Sequence, residues 1–72
     1  MESYKKRFIA EYYELSDRIE KLGKLIHEYR NSKISFELSC PIELLESQYI
    51  SMMSYKYVLK QRAEIEGIKL ED

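Results

Sequence analysis

The sequence predicts an all-α fold: an antiparallel helical hairpin of two long helices, assembled with copies of itself as a homo-oligomeric helical bundle. Three observations predict it. The first half carries an apolar seam at heptad spacing, the second holds a breaker-free stretch from Ser39 to Gly67, and there is more apolar surface than two helices can cover between them.

In the first half, Phe8, Tyr12, Leu15, Ile19, Leu22, Ile26 and Tyr29 follow one another at alternating spacings of four and three. Such residues share one stripe of an α-helix. Ile9, Tyr13 and Leu25 stand beside the seam and widen it, which suits a helix contacted from more than one side. The expected helix covers about 3–30, on the order of 40 Å long, with Ser3 as a candidate cap. Glu14 and Arg18, Asp17 and Lys21, and Glu20 and Lys24 stand four apart with the acid first, the favourable order on a solvated face. Gly23 falls inside this helix, where glycine costs roughly 1 kcal/mol relative to alanine. It marks either a close approach of two helices or room for a ligand.

The segment about 31–39 breaks the heptad pattern and carries the turn formers Asn31 and Ser32, so it reverses the chain. Ile34, Phe36 and Leu38 alternate with polar residues but have no second strand to pair with. They are expected to plug one end of the hairpin, with Phe36 as an ordinary core anchor.

The second helix is expected over about 40–66. Ser39 or Cys40 is the cap candidate, Pro41 suits the first turn, and Glu43 and Glu46 lie near the positive end of the helix dipole. Gly67 is the stop, after which Ile68 and Leu70 fold back before the acidic Glu71 and Asp72. Leu45, Gln48, Met52, Tyr55, Leu59 and Arg62 form its stripe. Two of these six are polar. A stripe carrying a glutamine and an arginine is expected to meet a partner chain or a polar ligand.

At 72 residues the chain makes one helical domain, residues 1–72, of a size whose single core leaves little net stability. Cys40 is the only cysteine, so an intrachain disulfide is impossible, and with His27 as the only histidine a zinc site is implausible. Oligomerisation remains as the source of stability. Ile50, Met53, Tyr57 and Val58 lie off the second stripe as Ile9, Tyr13 and Leu25 lie off the first, and water-exposed surface of this kind is an association site. Met52 and Met53 suit an adaptable interface. No apolar run approaches the roughly 20 residues needed to span a bilayer, and the start does not read as a signal peptide. A free thiol fits a reducing compartment, hence a cytoplasm.

No enzyme constellation is present: one His, one Cys, no glycine-rich phosphate loop and no HExxH. The chain reads as a non-enzyme without a cofactor, and Cys40 beside Pro41 as a buried cap residue rather than a nucleophile. Twelve basic residues against thirteen acidic ones argue against a protein that coats long nucleic acid but permit a local basic pocket. Tyr4, Lys5, Lys6, Arg7 and Phe8 set three cations between two rings, and Lys21 and Lys24 share a face one turn apart. Such groups can hold a phosphate and stack a base, or can form an ordinary solvated surface. Arg62 admits an interhelical salt bridge with a glutamate or a phosphate contact at an oligomer axis. Gln48 admits a simple interhelical hydrogen bond.

The pattern Tyr4-x-x-Arg7, then Arg18-Ile19-Glu20-Lys21-Leu22, then Leu44-Leu45-x-x-Gln48-x-x-x-Met52-x-x-Tyr55-x-x-x-Leu59-x-x-Arg62 resembles the small phage anti-CBASS proteins that act as cyclic-oligonucleotide sponges. The likeness covers most of the chain except the loop and the tail. It implies a compact helical homohexamer, in the cytoplasm of the infected bacterial host, that binds cyclic dinucleotides and in some members cyclic trinucleotides at separate sites, without cleaving them. It implies dinucleotide binding by Lys21 together with an aromatic from the N-terminal region of another subunit, Tyr4 in preference to Phe8, with Gly23 and Lys24 beside it. Where family members can carry a hydroxyl residue two positions after the lysine, this chain has Gly23. Arg62 matches the arginine near the trinucleotide site, with Arg7 as companion. Two phosphates and two bases call for cations plus aromatic stacking, and symmetric copies can meet a near-symmetric ligand.

Two other readings compete. One is a helical interaction module that plugs a host protein or scaffolds a virion without a small ligand. The other, a DNA-binding helical oligomer, is disfavoured by the near-neutral charge.

Overall fold

The computed structural model describes residues 2–31 and 37–70. The readings of Ser32, Ile34, Phe36, Glu71 and Asp72 lie outside the described residues. Two helices, α1 (Glu2–Arg30) and α2 (Ile42–Glu66), pack against one another, and no strand occurs among the described residues. They run antiparallel, since Tyr4 near the start of α1 bonds Glu66 at the end of α2, while Arg30 at the end of α1 bonds Glu46 near the start of α2. The hairpin measures 47 × 19 × 15 Å.

The heptad seam of α1 faces α2 along its length. Phe8, Tyr12, Leu15 and Ile19 are buried, and Leu22, Ile26 and Tyr29 are half-buried. Ser3 is not the cap, because the helix is already formed at Glu2 and Ser3 lies inside the first turn. At the other end the Asn31 backbone N–H and side-chain amide both donate to the His27 carbonyl, at 3.1 and 2.7 Å.

On α2 the inward stripe differs from the expected one. Ile42, Leu45, Tyr49, Met52, Lys56, Leu59 and Ala63 are the buried and half-buried positions at alternating spacings of three and four, whereas Gln48, Tyr55 and Arg62 are exposed. The two stripes share Leu45, Met52 and Leu59 and differ in which flank they add. Packing on α1 selects the flank with Tyr49 and Ala63. Lys56 is tolerated there because its stem covers apolar surface while its ammonium stands 5.4 Å over the Tyr12 ring.

The start of α2 also departs from expectation. Pro41, rather than Ser39 or Cys40, is the cap residue, with extended backbone (φ −61°, ψ 144°) and no side-chain cap hydrogen bond. Its carbonyl accepts from the Leu44 N–H at 3.0 Å, closing a tight first turn. The stop falls at Gly67, whose φ of 70° is the left-handed conformation glycine adopts without strain. The N–H groups of Gly67 and Ile68 both reach the Ala63 carbonyl, and Ile68 folds back into the core beside Ala63. That pairing of a 6→1 bond with an apolar contact is the Schellman arrangement. Leu70 packs against the same cluster.

The core sits at this end. Phe8, Tyr12, Leu15, Ile19, Leu59, Ala63 and Ile68 form one cluster, with Tyr12 and Leu59 wholly buried.

Candidate functional site

The residues singled out from the sequence fall into three places. At the packed end, Tyr4, Phe8 and Arg62 come together. The Arg62 Nη2 donates to the Tyr4 hydroxyl at 2.7 Å, the hydroxyl donates to Glu66 Oε1 at 2.8 Å, and Arg62 Nε donates to Glu66 Oε2 at 3.3 Å. These three bonds close a ring. The guanidinium also stands 4.9 Å over the Phe8 ring, and Tyr4 lies 6.2 Å from Phe8, centroid to centroid. Desolvation works against the charge of Arg62, but the hydrogen bonds it donates to Glu66 and Tyr4 outweigh it and raise its pKa above the ordinary value. The glutamate partner of Arg62 thus belongs to its own helix, and its link across the hairpin goes to a tyrosine. Phe8 itself is buried, so it supports the cation from below. Arg7, one turn beyond Tyr4, is exposed.

On the outer face of α1, Lys21 and Lys24 are exposed. Lys21 forms the expected pair with Asp17 at 3.0 Å, with both side chains more than half exposed. A pair of this kind contributes little to stability, and the ammonium is free to exchange partners. Along α1, Lys21 lies about 25 Å from Tyr4 at the helical rise. One chain cannot bring these two residues to a single small ligand.

Gly23, between Lys21 and Lys24 in sequence, lies on the flank against α2. A Cβ there would meet Tyr49 Cε1 at 2.9 Å, so the aromatic edge rests directly on the glycine. Gly23 and Tyr49 line an open cleft of about 510 Å³ whose far end holds Arg30 and Glu46. Arg30 grips Glu46 with two bonds, Nε to Oε2 at 3.0 Å and Nη2 to Oε1 at 2.9 Å. The Arg30 hydrogen bond holds the Glu46 carboxyl below its usual range, and the same bond raises Arg30.

Three participants are absent from the sequence reading. Glu66 stands four residues after Arg62, a spacing that was open to inspection. Tyr49 belongs to the stripe on the other flank of α2. The Arg30–Glu46 bridge needs the interhelical register, which no single-helix pattern supplies.

Among the described residues there is no group of histidine, cysteine or acidic side chains that could hold a metal ion. Nor does any helix among them have the length and apolarity to cross a membrane. No curated protein and no solved structure is found to match the chain. A family model does match: that of Sequestin, over residues 2–65. The chain therefore belongs to the Sequestin family, a name that fits the cyclic-nucleotide sponges and points to binding rather than catalysis.

Proposed function

We propose that this member of the Sequestin family is a phage immune-evasion protein that binds the cyclic di- and trinucleotide second messengers of bacterial CBASS defence and holds them, uncleaved, away from their effectors in the host cytoplasm. The observation that carries this is the packed end. There an arginine is fixed by Tyr4 and Glu66 over the ring of Phe8, a cation set among aromatic faces. Two of its five N–H groups are engaged, and the rest remain for phosphate oxygens.

The separation of Tyr4 from Lys21 supports a second element of the proposal. A dinucleotide site that uses both residues takes one from each of two chains, and the working unit is a homo-oligomer, a hexamer by the family resemblance. The surface favours it. Leu44, Tyr55, Val58 and Ile65 are exposed, as are the interleaved Gln48, Ser51 and Arg62, and the seven alternate at spacings of four and three down the outer flank of α2. This second heptad seam suits another copy. Arg62 lies on it, at the edge where copies would meet.

Isothermal titration against a panel of cyclic di- and trinucleotides is the test, with Lys21→Ala expected to remove dinucleotide binding and Arg62→Ala trinucleotide binding. A well-folded oligomer that takes up none of the panel at micromolar ligand contradicts the sponge. The exposed seam of α2 would then favour a helical interaction module.

A further inference from the structure

The sponge reading gives Tyr4 and Arg62 to different ligands, yet the structure joins them. Tyr4 offers a single hydroxyl, and that hydroxyl both accepts from Arg62 and donates to Glu66. Removing either partner opens the ring. The third side, Arg62 Nε to Glu66, is the longest at 3.3 Å. Phe8 is buried under the guanidinium and cannot follow a movement of it without disturbing the core. Tyr4, a residue 37 % exposed at the edge of the hairpin, is the member of the ring that can turn away without disturbing Phe8.

We propose that Tyr4, Arg62 and Glu66 act as one coupled unit, in which a polyphosphate gripped by Arg62 displaces the Tyr4 hydroxyl and so changes how Tyr4 is presented for stacking. The inference rests on the sponge reading only for what the coupling is used for. The chemistry needs no more than an anion able to compete for the guanidinium. Bidentate phosphate oxygens match the planar fork better than one phenol oxygen does. Glu66 is the opposing charge that the anion must overcome, so it acts as a positioning residue that sets the threshold for entry. Coupling of this kind is reciprocal: whatever turns Tyr4 outward leaves Arg62 readier for its anion.

The experiment uses the full chain and inorganic tripolyphosphate, which carries phosphates without bases. Arginine Nε–Hε and tyrosine ring signals are followed by NMR as the salt is added. The Arg62 and Tyr4 signals are expected to move together with one dissociation constant. Glu66→Gln is expected to tighten that constant about two- to fivefold, the range an exposed ion pair commands. Tyr4→Phe, which keeps the ring, is expected to leave the remaining aromatic signal unmoved while Arg62 still responds. An Arg62 response without Tyr4, or no Arg62 response at all, overturns the coupling. Failure of the panel titration with cyclic nucleotides while tripolyphosphate still moves both signals would overturn the sponge reading and leave the coupling standing.

Discussion

Where the start of α1 meets the end of α2, the hairpin is closed. Phe8, Tyr12, Leu59, Ala63 and Ile68 are buried there, Tyr12 and Leu59 wholly so, and Arg62 is tied down by Tyr4 and Glu66. At the other end Ile42 is buried but stands outside the core cluster, Leu22, Ile26, Tyr29, Leu45 and Tyr49 are only half-buried, a cleft lined by Gly23 and Tyr49 opens, and Arg30 and Glu46 fasten the helices by charge. The difference teaches that packing is not spread evenly along the hairpin. The closed end is a finished core on which a cation is held in place, and the open end gains most from whatever covers it.

The largest test of that contrast is truncation. Leu59→Ala removes a wholly buried side chain and is expected to cost about 3 kcal/mol, inside the range of roughly 2–5 found for such changes. Ile26→Ala, at the half-buried end, is expected to cost about 1 kcal/mol. Urea denaturation at fixed protein concentration compares them; equal costs would mean that the open end is as tightly packed as the closed one.

Gly67→Ala comes next. Nothing stands within 4 Å of the added Cβ, so the penalty is that of a left-handed backbone alone, about 1 kcal/mol. A neutral result by thermal melting would place the stop elsewhere.

Gly23→Ala sharpens the comparison from the other side. Alanine improves helix propensity by about 1 kcal/mol, but its Cβ must move the Tyr49 ring, and the two effects are expected to cancel to within about 0.5 kcal/mol. In a Tyr49→Ala background the same change should stabilise by about 1 kcal/mol. A double-mutant cycle on stability reads the difference, and additivity would show that the ring does not rest on the glycine.

The smallest effect is the acid sensitivity of the open end. The Glu46 carboxyl titrates below its ordinary range because Arg30 bonds it, so its contribution to stability is present above the unfolded value, about 4.3, and disappears as pH falls through the lowered one. Glu46→Gln should lower stability at neutral pH by the small amount the ion pair contributes and flatten the further loss below about pH 4.3. An unchanged acid limb would remove Arg30–Glu46 from the fasteners of this end.

Much of the fold was legible. The seam from Phe8 to Tyr29 needed only the alternation of three and four, and the stop at Gly67 only the scarcity of glycine and the apolar Ile68 beyond it. The inward face of α2 was not, for a physical reason. Leu45, Met52 and Leu59 fix a line on the helix but not which flank joins it, and the flank that packs inward carries Lys56, whose charge hides its burial. The same ambiguity grouped the exposed Gln48, Tyr55 and Arg62 with Leu45, Met52 and Leu59 on one stripe, of which only Gln48 and Arg62 stood out as unsuited to a core. Of the candidate site, the identities of Tyr4, Lys21 and Arg62 came from residue type and resemblance. The ring with Glu66, and the distance from Tyr4 to Lys21, come only from folded geometry.

That distance gives the most direct test of the central claim, a ligand site shared between chains. Tyr4→Ala and Lys21→Ala proteins are prepared separately, each expected to bind no cyclic dinucleotide, then mixed in equal amounts, dissociated and reassembled. If each site takes Tyr4 from one chain and Lys21 from another, about a quarter of the sites regain both residues by random assortment, and calorimetry recovers that fraction of binding. A mixture as inactive as its components would contradict the account.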